Sequence, residues 1–157
     1  MKHREAITIG GDAAAVWAFV GNPEQWPAFH DKIEVVECAH PGHGAAVELL
    51  LHFGKHDVLC QGQLGEYKAN ERLHAEFAGR STGQIKNEKP ITFRVTYSLT
   101  AKSAGMRTRV VERVEYDVKI PWLFRGLVWL IEKFGKPMGQ TNLQKLKELV
   151  ENSGGGF

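Results

Sequence analysis

Apolar and polar positions change period along this chain, and each change marks an element. Residues 4–9 alternate, with Ile7 and Ile9 on one face, and predict a short strand. Gly10 and Gly11 break the alternation, and Asp12 stands where a side chain can cap a helix. Ala15, Val16, Phe19 and Val20 then share one helical face, which Trp17 extends and Gly21 ends. Asn22 can cap a second helix with Pro23 in its first turn, where a missing N–H costs nothing. Pro27 limits that helix to little more than two turns.

From Lys32 the period is two, predicting strands over 32–39, 44–53, 57–65, 71–79, 90–100 and 106–118. Pro41-Gly42, Gly54-Lys55, Ala69-Asn70 and Ala104-Gly105 suit tight reversals between antiparallel neighbours. Residues 80–89 are longer and polar, and predict a mobile loop at one rim. After Pro121 the period is helical again, with Leu123, Leu127, Leu130, Ile131, Phe134 and Met138 in one stripe that continues through Leu143, Leu146, Leu149 and Val150. Gly135, Pro137 and Gly139 predict a kink or a split in that helix. Strand one, two short helices, six strands and one long helix make an α+β chain in which the sheet curls around the C-terminal helix.

The same alternation selects the residues that face inward. They are Val47, Leu49, Leu51 and Phe53; Val58, Cys60, Gly62 and Leu64; Leu73, Ala75 and Phe77; and Ile91, Phe93, Val95, Tyr97 and Leu99. In the last strand, Arg107, Arg109, Arg113 and Glu115 make the solvent row, so Met106, Thr108, Val110, Glu112, Val114 and Tyr116 fall inward. Glu112 is the anomaly, because an unpartnered buried carboxylate costs several kcal/mol or more. It must be paired, protonated or in a wet cavity. One reading makes it a polar anchor or general acid/base, the candidate catalytic group; the other is a β-bulge that turns it outward, or a structural bond to a tyrosine or backbone group.

Ile7 and Ile9, Val16-Trp17, Trp26-Pro27-Ala28-Phe29 followed by Ile33 and Val36, and the 105–116 strand leading to Pro121 together resemble the START/polyketide-cyclase-like (SRPBCC) superfamily, over residues 4–151. Two departures are local: Gly11-Asp12-Ala13 stands where members often have an Ala-Pro pair, and Phe29 where many have a second Trp. The resemblance implies a helix-grip fold, a seven-stranded curved antiparallel sheet around a long C-terminal helix, in one domain over 1–152 with 153–157 as a flexible tail. It also implies a pocket between sheet and helix for a hydrophobic or amphipathic molecule that is lipid-like, polyketide-like or aromatic. Ligand contacts are expected from Trp26, Phe29, Leu49, Leu51, Phe53, Phe77, Phe93, Tyr97, Glu112, Tyr116, Leu130 and Phe134. No catalytic residue carries over, so a cyclase or dehydratase in the same pocket stands as the alternative. The amphipathic aromatic stretch 121–136 raises a third reading, a membrane-surface lipid carrier.

Composition removes other classes. With 20 Lys and Arg against 18 Asp and Glu, a net charge of +2 and no basic stripe, nucleic acid is not an expected partner. MKHREAITI lacks the apolar run of a secretory signal, and no stretch approaches the ~20 apolar residues of a spanning helix, which predicts a cytoplasmic protein. Cys38 and Cys60 lack redox or zinc spacing and read as reduced, structural thiols. His40 with His43, and His52 with His56, lack ligand spacing and a third partner, so no metal is expected, and no sequence motif calls for a cofactor.

Overall fold

The computed structural model describes residues 2–53, 56–81, 91–117 and 141–154. Seven strands form one curled antiparallel sheet: β1 (Lys2–Ile9), β2 (Ile33–Glu37), β3 (Ala46–Phe53), β4 (His56–Lys68), β5 (Arg72–Ser81), β6 (Ile91–Lys102) and β7 (Arg107–Asp117). Their order is β1-β7-β6-β5-β4-β3-β2, so β1 and β2, consecutive among the strands, lie at opposite edges. The two short helices between them must therefore pass from one edge to the other. These are α1 (Ala13–Val20) and a 3-10 helix, Pro23–Ala28. With the C-terminal helix Asn142–Gly154, this is an α+β helix-grip fold.

Local chemistry explains the two short helices. The Asp12 carboxylate accepts the Ala15 N–H at 2.8 Å, closing the open first turn of α1. Gly21 ends α1 with an ordinary helical φ of −78°, so its value there is space: a Cβ would come 2.3 Å from the Trp17 ring. The second element winds as 3-10 and not α. Pro27 lies inside it and has no N–H to donate, and Asn22 caps it by accepting from Glu24 N–H at 3.3 Å.

The inward rows follow the alternation: Val47, Leu49, Val58, Cys60, Leu64, Leu73, Ala75, Phe77, Phe93, Val95, Tyr97, Leu99, Thr108, Val110 and Glu112 are all buried. Burial raises the Cys60 thiol to a pKa of about 12, consistent with an inert, reduced side chain. Met106 departs from the pattern and is 76% exposed. The 3-10 turn Ser103–Gly105 precedes it, with positive φ at all three residues, and the strand period starts only at Arg107. β4 runs three residues past its predicted end, because its register on β5 shifts between Leu64 and Tyr67. That bulge brings Tyr67 to the core where strict alternation would bring Glu66. The Tyr67 hydroxyl donates to Gly21 O at 2.8 Å, and its ring meets Trp17 edge-on.

In the C-terminal helix Leu143, Leu146 and Val150 are buried, each by about 1.5–3 kcal/mol of apolar transfer. The helix packs on β1 and α1, and the Glu151 carboxylate accepts the Gly10 N–H at 2.9 Å. It extends through Ser153 and Gly154, two residues assigned to the tail by sequence. The predicted helix from Pro121, its kink near Pro137 and most of the 80–89 loop lie outside the described residues.

Candidate functional site

The concave face carries an aromatic wall. Trp26 and Phe29 are three residues apart, which the 3-10 period places on one side of the chain, and both are buried. Trp26 meets Phe77 at 6.2 Å and Tyr97 at 6.2 Å between ring centroids, and Phe29 meets Tyr97 edge-on at 6.4 Å. Phe77 and Phe93 stack at 5.1 Å. The Trp26 indole N–H is satisfied by Val20 O at 3.0 Å, which fixes the ring's angle.

A chain of polar side chains runs through this wall. Strand register places Glu112 between Tyr97 on β6 and Glu5 on β1, each its direct cross-strand partner. The Tyr97 hydroxyl donates to Glu112 Oε2 at 2.7 Å, and His30 Nε2 lies 2.6 Å from the same hydroxyl and 3.8 Å from Glu112 Oε2. Asn142, at the start of the C-terminal helix, reaches His30 Nδ1 with its amide nitrogen at 2.8 Å. One assignment satisfies every group. The Asn142 amide donates to Nδ1, Nε2–H donates to the tyrosine oxygen, and the tyrosine O–H donates to the carboxylate.

Burial sets the electrostatics. Loss of water lowers the His30 pKa to about 3, with Asp31 acting in opposition, so the ring is neutral at pH 7. Burial raises the Glu112 pKa to about 7; the Tyr97 bond opposes this and Glu5 adds to it. A carboxyl poised near neutrality beside a hydroxyl and a neutral imidazole can hold or pass one proton. Glu112 is thus inward and paired, with no bulge turning it out.

At the rim, Thr141 Oγ1 donates to Glu5 Oε1, and Lys145 pairs with Asp31. Ligand atoms of His3, Glu5 and Glu112 lie within 4.8 Å of one another, and those of Glu34, His52 and Asp57 are similarly close on the surface.

Of the ligand-contact residues expected from sequence, Trp26, Phe29, Phe77, Phe93, Tyr97 and Glu112 come together. Leu49 is buried and Leu51 partly buried, but both are on β3, which β4 and β5 separate from Tyr97. The side chains of Phe53 and Tyr116, and all of Leu130 and Phe134, lie outside the described residues, as does the 121–136 stretch. Two open surface hollows, of about 740 and 550 Å³, are lined by residues other than His30, Tyr97 and Glu112. Among the described residues no helix is long and apolar enough to cross a membrane.

His30, Asn142, Glu5 and His3 were not singled out by sequence. For Glu5 and His3 a signal existed: the inward row of β1, continued back from Ile9 and Ile7, passes through both. Nothing in the spacing brings His30 or Asn142 to Glu112, since those contacts are tertiary.

The profile of the family described as polyketide cyclase / dehydrase and lipid transport matches residues 2–151. No curated protein matches the chain. Solved structures do. A conserved protein from Geobacillus kaustophilus has a TM-score of 0.67 at 12% identity, covering 98% of this chain and 97% of that one. A protein from Thermus thermophilus has a TM-score of 0.65 at 18% identity, covering 98% and 99%. A START superfamily protein from Mycobacterium smegmatis has a TM-score of 0.59 at 11% identity, covering 97% and 98%. At these identities the likeness concerns the fold.

Proposed function

For a chain that belongs to the polyketide cyclase / dehydrase and lipid transport family, we propose binding of a hydrophobic or amphipathic small molecule on the concave face of the sheet, between it and the C-terminal helix. The observation that carries this reading is one apolar aromatic wall, Trp26, Phe29, Phe77 and Phe93, interrupted by a single polar chain at Tyr97 and Glu112. Binding sites for small molecules have this composition: mostly apolar lining, with a few polar groups that orient the ligand. Titration with an apolar fluorescent probe tests it. Saturable one-to-one binding, weakened by a polar substitution at Phe93 in a variant that still unfolds cooperatively, supports the site; no saturable binding removes it.

A second reading has its own observation. The Tyr97 hydroxyl lies 2.7 Å from Glu112 and 2.6 Å from His30 Nε2, within the reach that proton transfer during a cyclisation or dehydration requires. Glu112 would take a proton from carbon beside a carbonyl while the Tyr97 hydroxyl turns from the carboxylate to donate to the carbonyl oxygen. Incubation of a bound polyketide-like compound with wild type and Glu112→Gln separates the readings by mass: a product formed by wild type alone establishes chemistry, and an unchanged ligand in both leaves binding as the function.

A further inference from the structure

Glu112 is 2% exposed, so water has no direct access to its carboxyl, yet any acid/base work there needs a proton to come and go. Its bonded neighbours lead outward. The Tyr97 hydroxyl is at 2.7 Å, His30 Nε2 is 2.6 Å from that hydroxyl, and the Asn142 amide is 2.8 Å from His30 Nδ1. This far end lies at the start of the C-terminal helix, where His30 and Asn142 are only partly buried. Capping does not occupy Asn142. Thr141 Oγ1 accepts the Gln144 N–H at 3.2 Å and Gln144 Oε1 accepts the Thr141 N–H at 3.0 Å, a reciprocal box that closes the helix start without the asparagine side chain.

The three contacts can be filled in two directions. With Glu112 ionised, Asn142 donates to Nδ1, Nε2–H donates to the tyrosine oxygen, and the tyrosine O–H donates to the carboxylate. With Glu112 protonated, the carboxyl donates to the tyrosine oxygen, the tyrosine O–H donates to Nε2, and Nδ1–H donates to the oxygen of a turned Asn142 amide. Both ring nitrogens and the hydroxyl are engaged in either order. A carboxamide carries a donor and an acceptor side by side, so a half-turn about its last bond serves each direction.

We propose that His30 and Tyr97 are a proton relay between water at the start of the C-terminal helix and Glu112, and that Asn142 is the positioning residue that sets its direction. A proton from water forms the Nδ1–H bond; as it does, the Nε2 proton passes to the tyrosine oxygen and the tyrosine proton passes to Glu112 Oε2. The ring ends neutral as the other tautomer, the tyrosine keeps one proton, and the carboxyl has gained one. Moving in step, the protons leave no standing imidazolium, which burial disfavours. The relay rests on the acid/base reading of Glu112 above and supplies its route to water. The groups facing Glu112 are Glu5 and His3 from β1, Tyr97 from β6 and His30 from the segment before β2; His30 faces Tyr97, Glu112, Asn142 and the neighbouring Asp31, which Lys145 pairs.

Long-range proton–nitrogen NMR correlation in ligand-free protein with labelled histidine reads the His30 tautomer from about pH 5 to 8.5, with the His30 signals assigned by their loss in His30→Gln. In wild type the Nε2–H form at the alkaline end gives way to the Nδ1–H form at the acid end, in step with the carboxyl carbon shift of Glu112. Glu112→Gln cannot titrate and holds the Nε2–H form throughout. Tyr97→Phe cuts the middle of the relay, and the tautomer no longer follows pH. Asn142→Ala keeps the Thr141–Gln144 cap and mixes the two forms at the alkaline end, where wild type shows one. A single tautomer across the range in wild type, a switch that survives in Glu112→Gln or Tyr97→Phe, or an Asn142→Ala spectrum equal to that of wild type overturns the proposal. No substrate enters this measurement, so its result is read separately from the product analysis that tests the acid/base reading.

Discussion

Replacing Glu112 with glutamine isolates the buried proton. The side chain keeps its shape and can still accept the Tyr97 hydroxyl, but it no longer titrates. In the folded wild type burial holds the Glu112 pKa at about 7, against an ordinary 4.5. A carboxyl raised in this way contributes stability that is fully present below about 4.5 and is lost as pH rises to about 7. Two and a half pH units, at about 1.4 kcal/mol each, give about 3 kcal/mol. His30 works in the opposite sense. Its pKa falls from 6.5 to about 3 on folding, so its contribution is present above 6.5 and is lost as pH falls toward 3. Between 4.5 and 6.5 the two slopes oppose, and their sum in wild type is nearly flat, whichever of the two side chains carries the shared proton. In Glu112→Gln only the histidine slope remains, so stability climbs by about 3 kcal/mol across that window. Urea unfolding of both proteins in steps from about pH 4 to 8 measures the difference. Relative to wild type, the variant gains about 3 kcal/mol between pH 4.5 and 7. A difference that is constant with pH, or one that moves against the variant as pH rises, would show that Glu112 does not hold a raised pKa in the folded protein.

Other substitutions test the framework around that proton. Trp26→Ala removes a buried ring that touches Phe77 and Tyr97, and costs about 3–5 kcal/mol in chemical denaturation; a small loss with weakened probe binding would move Trp26 from core to ligand wall. Gly21→Ala puts a methyl group against the Trp17 ring with no backbone strain to relieve, and costs about 1–3 kcal/mol by overpacking. Asp12→Ala removes the cap on α1 and costs about 1 kcal/mol, while Asp12→Asn retains most of it.

The sheet was legible because its alternation is strict. Leu73, Ala75 and Phe77, or Phe93, Val95, Tyr97 and Leu99, can be assigned to a face with no structure at hand, and the same rule found Glu112 as the polar intruder. The rule fails where the backbone leaves its period. Met106 follows a left-handed turn, and Tyr67 follows a bulge, so each takes the face that alternation denies it. What the polar chain is made of was hidden for a different reason. Glu112 meets His30 across more than eighty positions of sequence, and Asn142 meets His30 only when the C-terminal helix is docked. Glu5 is the intermediate case. Its face was readable from Ile7 and Ile9, but its partner depended on β1 pairing with β7, the strand farthest from it in sequence.

The polar chain also ties separate elements of the fold together. His30, Asp31 and Glu5 are the groups that tie the start of the C-terminal helix, through Asn142, Lys145 and Thr141, to the segment before β2 and to β1.

Native mass spectrometry of freshly purified protein shows whether the concave face carries a small molecule. A second mass is expected, an apolar or amphipathic compound in one-to-one ratio, that is released when the protein is denatured. Protein mass alone in repeated preparations, together with no saturable binding of an apolar probe, would contradict that expectation.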